Sequence, residues 1–327
     1  MDKEQIRNMI LREENYDETM KTVVLPYIEQ RKTEQYCERE EGKKIFYIRC
    51  LADNPRGIAV ISHGYTETIE KHLENIYYFL CGGYHVFMAE HCGHGHSYRM
   101  CSDAEDLSLV HVDDYIRYVD DLLFISRRAA HEFPDLPILL YGHSMGGGIA
   151  AAAAAHAPEL FSRLVLSSPM IRPSSAPVPW SLACIIAKLF CMAGKSECYV
   201  NGNHPYEGPE SFADSASVSE ARFNFYNQKR CKEPLYQMSA ASYGWLWQAA
   251  RLNRYLQQKA WRLITCPVLI FQAECENYVS QEEQVRFVKK LNRKKSGNAK
   301  LIKVPGTKHE IFNSGTDILE RYWKLIL

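Results

Sequence analysis

Ile138-Leu139-Leu140-Tyr141-Gly142-His143-Ser144-Met145-Gly146-Gly147-Gly148, followed by Ile149 and an alanine run to Ala155, decides how this chain is read. An apolar run of strand length passes into Gly-x-Ser-x-Gly and then into small, helix-compatible residues. That order predicts a sharp strand-to-helix turn that holds the serine in a strained backbone conformation and lifts its hydroxyl above the end of a sheet. Gly142 and Gly146 flank the serine because a Cβ on either would strike the opposite arm of so tight a turn. The helix beginning there would aim its first N–H groups and its dipole at any oxyanion formed on the serine. Its small face (Gly147, Gly148, Ala151, Ala152) predicts close packing on the sheet.

At 327 residues the chain is long enough for one large core, or a core with an insertion. Lys plus Arg and Asp plus Glu number 39 each, so zero net charge argues against a general nucleic-acid partner. The eleven cysteines are an odd number without Cys-x-x-Cys spacing, which suits reduced thiols better than a disulfide framework. The polar start Met1–Arg7 reads as the entry to an amphipathic helix rather than a signal peptide. The longest apolar run, Leu182–Ala193, is broken by Lys188 and too short to span a bilayer. The expectation is a soluble, cytoplasmic protein with no transmembrane segment, its peripheral attachment to membranes left open.

Outward from the serine, the pattern alternates. Strands are expected over Thr33–Glu40, Lys44–Leu51, Gly57–Ser62, Tyr84–Ala89 and Leu164–Ser168, with Glu41-Gly42 as a hairpin turn. Helices are expected over Ile69–Cys81 and Asp113–Phe133. The alternation points to an α/β fold with a mainly parallel central sheet flanked by helices. From Met170 to Gln258 no buried strand is legible; an apolar helix (Leu182–Ala193) and further helical stretches read as an inserted helical cap. The α/β pattern resumes with Val268–Gln272, a helix Gln281–Asn292, the strand Ala299–Val304 and a closing helix Asp317–Leu327. The expected division is a core of residues 1–169 and 259–327 with a cap of residues 170–258.

A serine hydroxyl is a weak nucleophile at neutral pH and needs an imidazole to take its proton, with a carboxylate to orient that imidazole. In such chains the order is serine, acid, histidine. His309 follows the last strand and is the candidate base. Glu276 and Glu274 both follow the strand ending at Gln272; Glu276, farther into the loop, is the preferred acid and Glu274 the alternative. Two backbone N–H groups are needed for the oxyanion, and Tyr65 and Met145 are assigned that role.

Ser62-His63-Gly64-Tyr65-Thr66-Glu67, His91-Cys92-Gly93-His94-Gly95-His96-Ser97, Gly142-His143-Ser144-Met145-Gly146-Gly147 and Gly306-Thr307-Lys308-His309 together resemble the monoacylglycerol lipase and bacterial lysophospholipase branch of the alpha/beta hydrolases. The resemblance runs from about residue 30 to the end and is weakest in the cap. It places Ser144, Glu276 and His309 on the triad positions and Tyr65 and Met145 on the oxyanion positions. The chain departs from many relatives at Glu276 and Glu90, where Asp is common. The resemblance implies a serine ester hydrolase acting on a monoacyl lipid through an acyl-enzyme, without cofactor. A short-chain carboxylesterase, thioesterase or peptidase with the same triad is the alternative, and a ligand-binding protein of this fold with little turnover is a third reading.

Other signals have plainer readings. His91, His94 and His96 read as a loop packed beneath the site, not a metal centre, and no metal is expected. Cys184, Cys191 and Cys198 read as cap packing, and Lys229-Arg230 with Lys232 as a solvated patch. Cys92 and Cys275 fall in loops expected to reach the catalytic edge. His143, Leu189, Phe190 and Trp245 are the candidate substrate-binding residues. The apolar and aromatic cap reads first as packing on its own core, and second as an acyl groove or a surface for transient contact with lipids.

Overall fold

The computed structural model describes residues 3–103, 105–295 and 297–327, so Met1 and Asp2 of the polar N-terminus lie outside the described residues. The strands are β1 (Lys32–Glu40), β2 (Lys43–Cys50), β3 (Gly57–Ser62), β4 (Tyr84–Ala89), β5 (Leu109–Val110), β6 (Ile138–His143), β7 (Arg163–Ser167), β8 (Ala240–Ala241), β9 (Val268–Ala273) and β10 (Ala299–Val304). Eight of them form one sheet in the order β1-β2-β4-β3-β6-β7-β9-β10. β2 is antiparallel to both of its neighbours, and every other pairing in this sheet is parallel.

Why the centre is parallel follows from burial. Every residue of β3, β6 and β9 is buried, so these strands need helices on both faces and carry unbroken apolar runs rather than alternation. One face packs against the helices Ile116–Glu132 and Ser144–His156. The other packs against Leu73–Cys81, the N-terminal helical segments and Thr316–Ile326. The registers Ser62↔Gly142 and His143↔Ser167 bring the carboxyl ends of β3, β6 and β7 level, where ligands bind in open α/β sheets.

Between β7 and β9 the chain forms the helices Trp180–Met192, Glu220–Arg230 and Tyr243–Tyr255. Phe190 stacks on Tyr243 at 3.8 Å between ring centroids and ties the first of these to the third. One feature was not legible: Ala240–Ala241 pairs in parallel with Leu109–Val110, whereas no strand is expected from 170 to 258. Two small residues carry too little apolar pattern to announce a strand.

A buried ion pair joins three remote parts of the chain. Arg222 donates from Nε and Nη2 to the Glu74 carboxylate at 2.9 to 3.2 Å, and from Nη2 to the Leu11 carbonyl at 2.9 Å. Tyr16 donates to the same carboxylate at 2.9 Å, and the Tyr78 hydroxyl donates to its other oxygen, so its lone pairs are satisfied. The N-terminal segment, the core helix and the helix Glu220–Arg230 are thereby locked together. Breaking such a pair from one side leaves a buried charge uncompensated. Arg222→Met is expected to lower unfolding free energy by about 3–5 kcal/mol in urea titrations, and the double variant with Glu74→Leu to recover much of the loss.

Candidate active site

Ser144 sits where β6 turns into the helix Ser144–His156, with φ at +51°. That left-handed value is costly for a residue with a Cβ, and the neighbours enforce it. A Cβ on Gly146 would lie 2.2 Å from the Ser62 carbonyl oxygen, and one on Gly142 would lie 2.6 Å from that of Gly146. The Ser144 carbonyl accepts from the Met170 N–H at 2.7 Å, which pins the turn to the chain leaving β7.

His309 arrives on the loop after β10 and Glu276 on the loop after β9. The Ser144 hydroxyl donates to His309 Nε2 at 2.8 Å, and His309 Nδ1–H donates to Glu276 Oε2 at 2.7 Å. The other carboxylate oxygen of Glu276 accepts from the N–H groups of Tyr278 and Val279 at 2.8 and 3.2 Å, so the acid is oriented from behind. Glu274 is exposed and accepts from the Gly306 N–H at 2.8 Å. It fastens the two loops to each other and makes no contact with the imidazole. The Cys275 N–H donates to the Thr307 carbonyl at 2.9 Å and reinforces the same fastening.

Met145 is the second residue of its helix, where backbone N–H groups have no intrahelical acceptor; its side chain is buried in the core. Tyr65 follows the end of β3, and its ring rests on Trp245 at 4.6 Å. The loop carrying it is anchored by Glu67, a residue sequence reasoning passed over. Glu67 Oε2 accepts from the Gly64 N–H at 2.6 Å and from His72 Nε2–H at 2.8 Å, while Oε1 lies 3.4 Å from His143 Nε2.

A cavity of about 270 Å³ opens over Ser144 and His309. Tyr65, His143, Met170, Phe223, Trp245 and Tyr278 contribute to its walls, together with the charged groups of Glu67, Lys71, Glu210, Arg230 and Glu310. Of the four candidate substrate-binding residues, His143 and Trp245 line it. Leu189 and Phe190 do not: Leu189 is 57% exposed on the outer side of its helix, and Phe190 is taken up by its stack on Tyr243. An apolar helix face showed only that something apolar meets it; for Phe190 that partner lies within the fold.

One other expectation is corrected. Arg230 is not part of a solvated patch but is buried, donating to the carbonyls of Tyr236 and Met238 at 3.1 and 2.7 Å and pairing with Glu210. Of the two cysteines on loops at this edge, Cys92 is fully buried and its thiol is pushed up by desolvation, whereas Cys275 is exposed. All eleven cysteines are free.

The histidines of the glycine–histidine loop are engaged with neighbouring groups. His63 donates from Nδ1 to the Gly64 carbonyl at 2.8 Å and accepts the His91 N–H at Nε2 at 2.9 Å. His94 donates from Nδ1 to the Cys92 carbonyl at 3.0 Å and accepts the Thr66 N–H at 3.3 Å. His91 Nε2 shares a 3.0 Å hydrogen bond with Ser62 Oγ. His96 turns away to Glu90 at 3.2 Å. Among the described residues no group of three or more His, Cys, Asp or Glu is placed to hold a metal ion.

A strained serine at a strand-to-helix turn, a histidine and an acid at the ends of later parallel strands, and eight strands in this order define an alpha/beta hydrolase. The chain belongs to the family described as serine aminopeptidase, S33, whose model matches residues 53–315. It is 34% identical over 151 residues to a monoacylglycerol lipase of Mycolicibacterium smegmatis, a match covering 45% of this chain and 51% of that relative. It is 26% identical over 305 residues to a probable lysophospholipase L2 of Haemophilus influenzae, covering 92% of this chain and 93% of the relative. The fold is shared with a soluble variant of monoglyceride lipase from Saccharomyces cerevisiae: TM-score 0.70 at 19% identity, over 90% of this chain and 94% of that one. Among the described residues no helix is long and apolar enough to cross a membrane.

The two loop glutamates separate cleanly by mutation. Glu276→Gln is expected to lower kcat by about 10³–10⁴-fold without altering the thermal midpoint by more than a few degrees, and Glu274→Gln to leave kcat within about tenfold. The reverse ranking, read in steady-state assays, would move the acid to Glu274.

The buried histidines predict acid lability. Burial pushes His63 from 6.5 down to about 4, and pushes His143, against partial support from the Glu67 carboxylate, down to about 3. Each is neutral in the fold but takes a proton in the unfolded chain below 6.5. Stability is therefore full above that pH and is lost as pH falls towards the folded values, at about 1.4 kcal/mol per pH unit for each histidine. Urea unfolding followed from about pH 7.5 to about pH 5 should show this slope, and His63→Asn should lessen it. A flat profile would contradict the account.

Proposed function

We propose that this protein hydrolyses the carboxylic ester of a single-acyl lipid, a monoacylglycerol or a lysophospholipid, through an acyl-enzyme on Ser144. The observation that carries the reading is the unbroken hydrogen-bonded chain from Glu276 through His309 to Ser144, opening on a cavity with apolar and charged walls. The names of the mycobacterial and Haemophilus relatives supply the substrate class. In this reading Ser144 Oγ attacks the ester carbonyl while His309 Nε2 takes its proton. The N–H groups of Tyr65 and Met145 receive the oxyanion. Collapse breaks the ester bond, and the leaving alcohol takes the proton from His309. Water then attacks the acyl-serine, its proton passing to His309, and the second collapse returns that proton to Ser144 and releases the fatty acid. Glu276 keeps the imidazole in the tautomer that accepts at Nε2 and stabilises its protonated form.

The cap also suits contact with a lipid surface. Leu182, Ile185, Leu189 and Met192 recur at spacings of three, four and three on one helix and are 47%, 56%, 57% and 74% exposed. An outward apolar stripe of this kind can rest at the boundary where acyl chains begin.

The test is hydrolysis of monoacylglycerols and lysophospholipids with acyl chains from acetate to oleate, comparing the parent with Ser144→Ala. Expected are a preference for long single chains and a loss of about 10⁵-fold or more without the serine. Serine-dependent activity that peaks at acetate would replace the lipid by a short-chain ester, and turnover confined to amides would favour the peptidase named in the family description. A stoichiometric burst with no further turnover would favour a binding role. In the same series, Ile185→Asp with Met192→Asp should slow vesicle-borne substrate about fivefold more than a dispersed ester.

A further inference from the structure

We propose that Arg230 is the receptor for an anionic phosphate group on the substrate's headgroup, and that Glu210 is an internal anion which that phosphate displaces. The proposal deepens the single-acyl lipid reading by assigning the headgroup side of the same cavity, and it favours lysophospholipids over neutral monoacylglycerols.

The two cations that line the cavity, Lys71 and Arg230, are paired in different ways. Lys71 and Glu310 pair with side chains only 15% and 10% exposed. Glu310 also accepts from Ser217 Oγ at 2.7 Å and from Asn313 Nδ2 at 2.8 Å, and Lys71 has a second carboxylate, Glu67, at 3.7 Å, so that group is held from several sides. Arg230 and Glu210 are unequal partners: the arginine side chain is 7% exposed and the glutamate 53%. Arg230 is fixed at Nε and Nη2 by the carbonyls of Tyr236 and Met238, which leaves Nη1 directed at Glu210. Glu210 belongs to the stretch 201–219, which contains no helix or strand.

A buried guanidinium needs an anion beside it, yet nothing requires that anion to come from the protein. A half-exposed carboxylate on an irregular segment regains hydration when it swings away. A phosphate taking its place keeps the charge balance and offers oxygens that the planar guanidinium binds well. Glycerol has no charge to exchange, so a monoacylglycerol gains nothing by displacing Glu210. The pair thus acts as a gate with a built-in competitor, and its two members should change phosphate affinity in opposite directions. A merely structural ion pair would make both substitutions harmful.

The experiment is isothermal titration of glycerol 3-phosphate, with glycerol as the neutral control, into the parent protein, Glu210→Gln and Arg230→Gln. Glu210→Gln is expected to tighten glycerol 3-phosphate by about threefold or more, and Arg230→Gln to weaken it about tenfold or more, with glycerol moved by neither. The ratio of kcat/KM for a lysophospholipid to that for the monoacylglycerol of the same chain should shift in the same two directions. Weaker or unchanged phosphate binding in Glu210→Gln overturns the proposal, and this variant decides the matter even if Arg230→Gln does not fold. Phosphate binding that follows these signs without ester turnover would instead remove the ester-hydrolase reading and leave the anion site standing.

Discussion

The structure depends on one close approach: the helix that begins at Ser144 pressed against the ends of β3 and β6. Gly146 faces the Ser62 carbonyl so closely that a Cβ would lie at 2.2 Å, and Gly148 has the Met170 carbonyl at 2.5 Å in the same sense. This contact forces Ser144 to φ +51° and fixes where its hydroxyl points. Once the hydroxyl is fixed, the loops after β9 and β10 have a single place to deliver an acid and a base. The cost of the strained serine is met by burial of the helix, whose residues from Ser144 to Ala155 are all withdrawn from solvent.

How the candidate acid is held explains a division between two glutamates that look equivalent in the chain. Glu276 spends one oxygen on the Tyr278 and Val279 amides and turns the other to His309. Glu274 spends its reach on Gly306. The first fixes the geometry of a proton acceptor; the second fixes the distance between the loops that carry it. Both act around the same 2.8 Å contact at Ser144, but only Glu276 stands in the line of charge.

What could be read in the sequence was local. Buried parallel strands announce themselves as unbroken apolar runs, so β3, β4, β6, β7 and β9 were legible to within a residue or two. The Gly-x-Ser-x-Gly turn was legible because steric crowding leaves few alternatives to glycine. The placement of Ser144, His309 and Glu276 at strand ends follows from the same alternation, and the structure brings the three within hydrogen-bond distance. What escaped notice was remote pairing. Lys71 meets Glu310 across 239 positions, and Arg222 meets Glu74 across 148. Arg230 looked like a surface charge because its partners are two carbonyls and a loop carboxylate, and no sequence pattern marks a carbonyl as an acceptor. Leu189 misled for a related reason: apolar periodicity fixes a face, not the direction in which that face looks.

The segment between β7 and β9 has two sides that differ in chemistry. Leu182, Ile185, Leu189 and Met192 face outward, whereas Glu210, Ser217 and Arg230 reach the cavity beside the apolar Met170, Phe223 and Trp245. A segment that served only to seal a core would have little reason to keep that outward apolar stripe or to bury a guanidinium, because exposing apolar side chains forgoes the gain of their burial and burying charge is costly. The two features are sustainable where the stripe meets an apolar medium and the guanidinium meets a polar group. A single-acyl lipid with a charged head presents both, its chain embedded in an aggregate and its head in water. The mixed chemistry of this segment is therefore what the proposed single-acyl substrate would call for, and a cavity lined only by apolar side chains would not supply it.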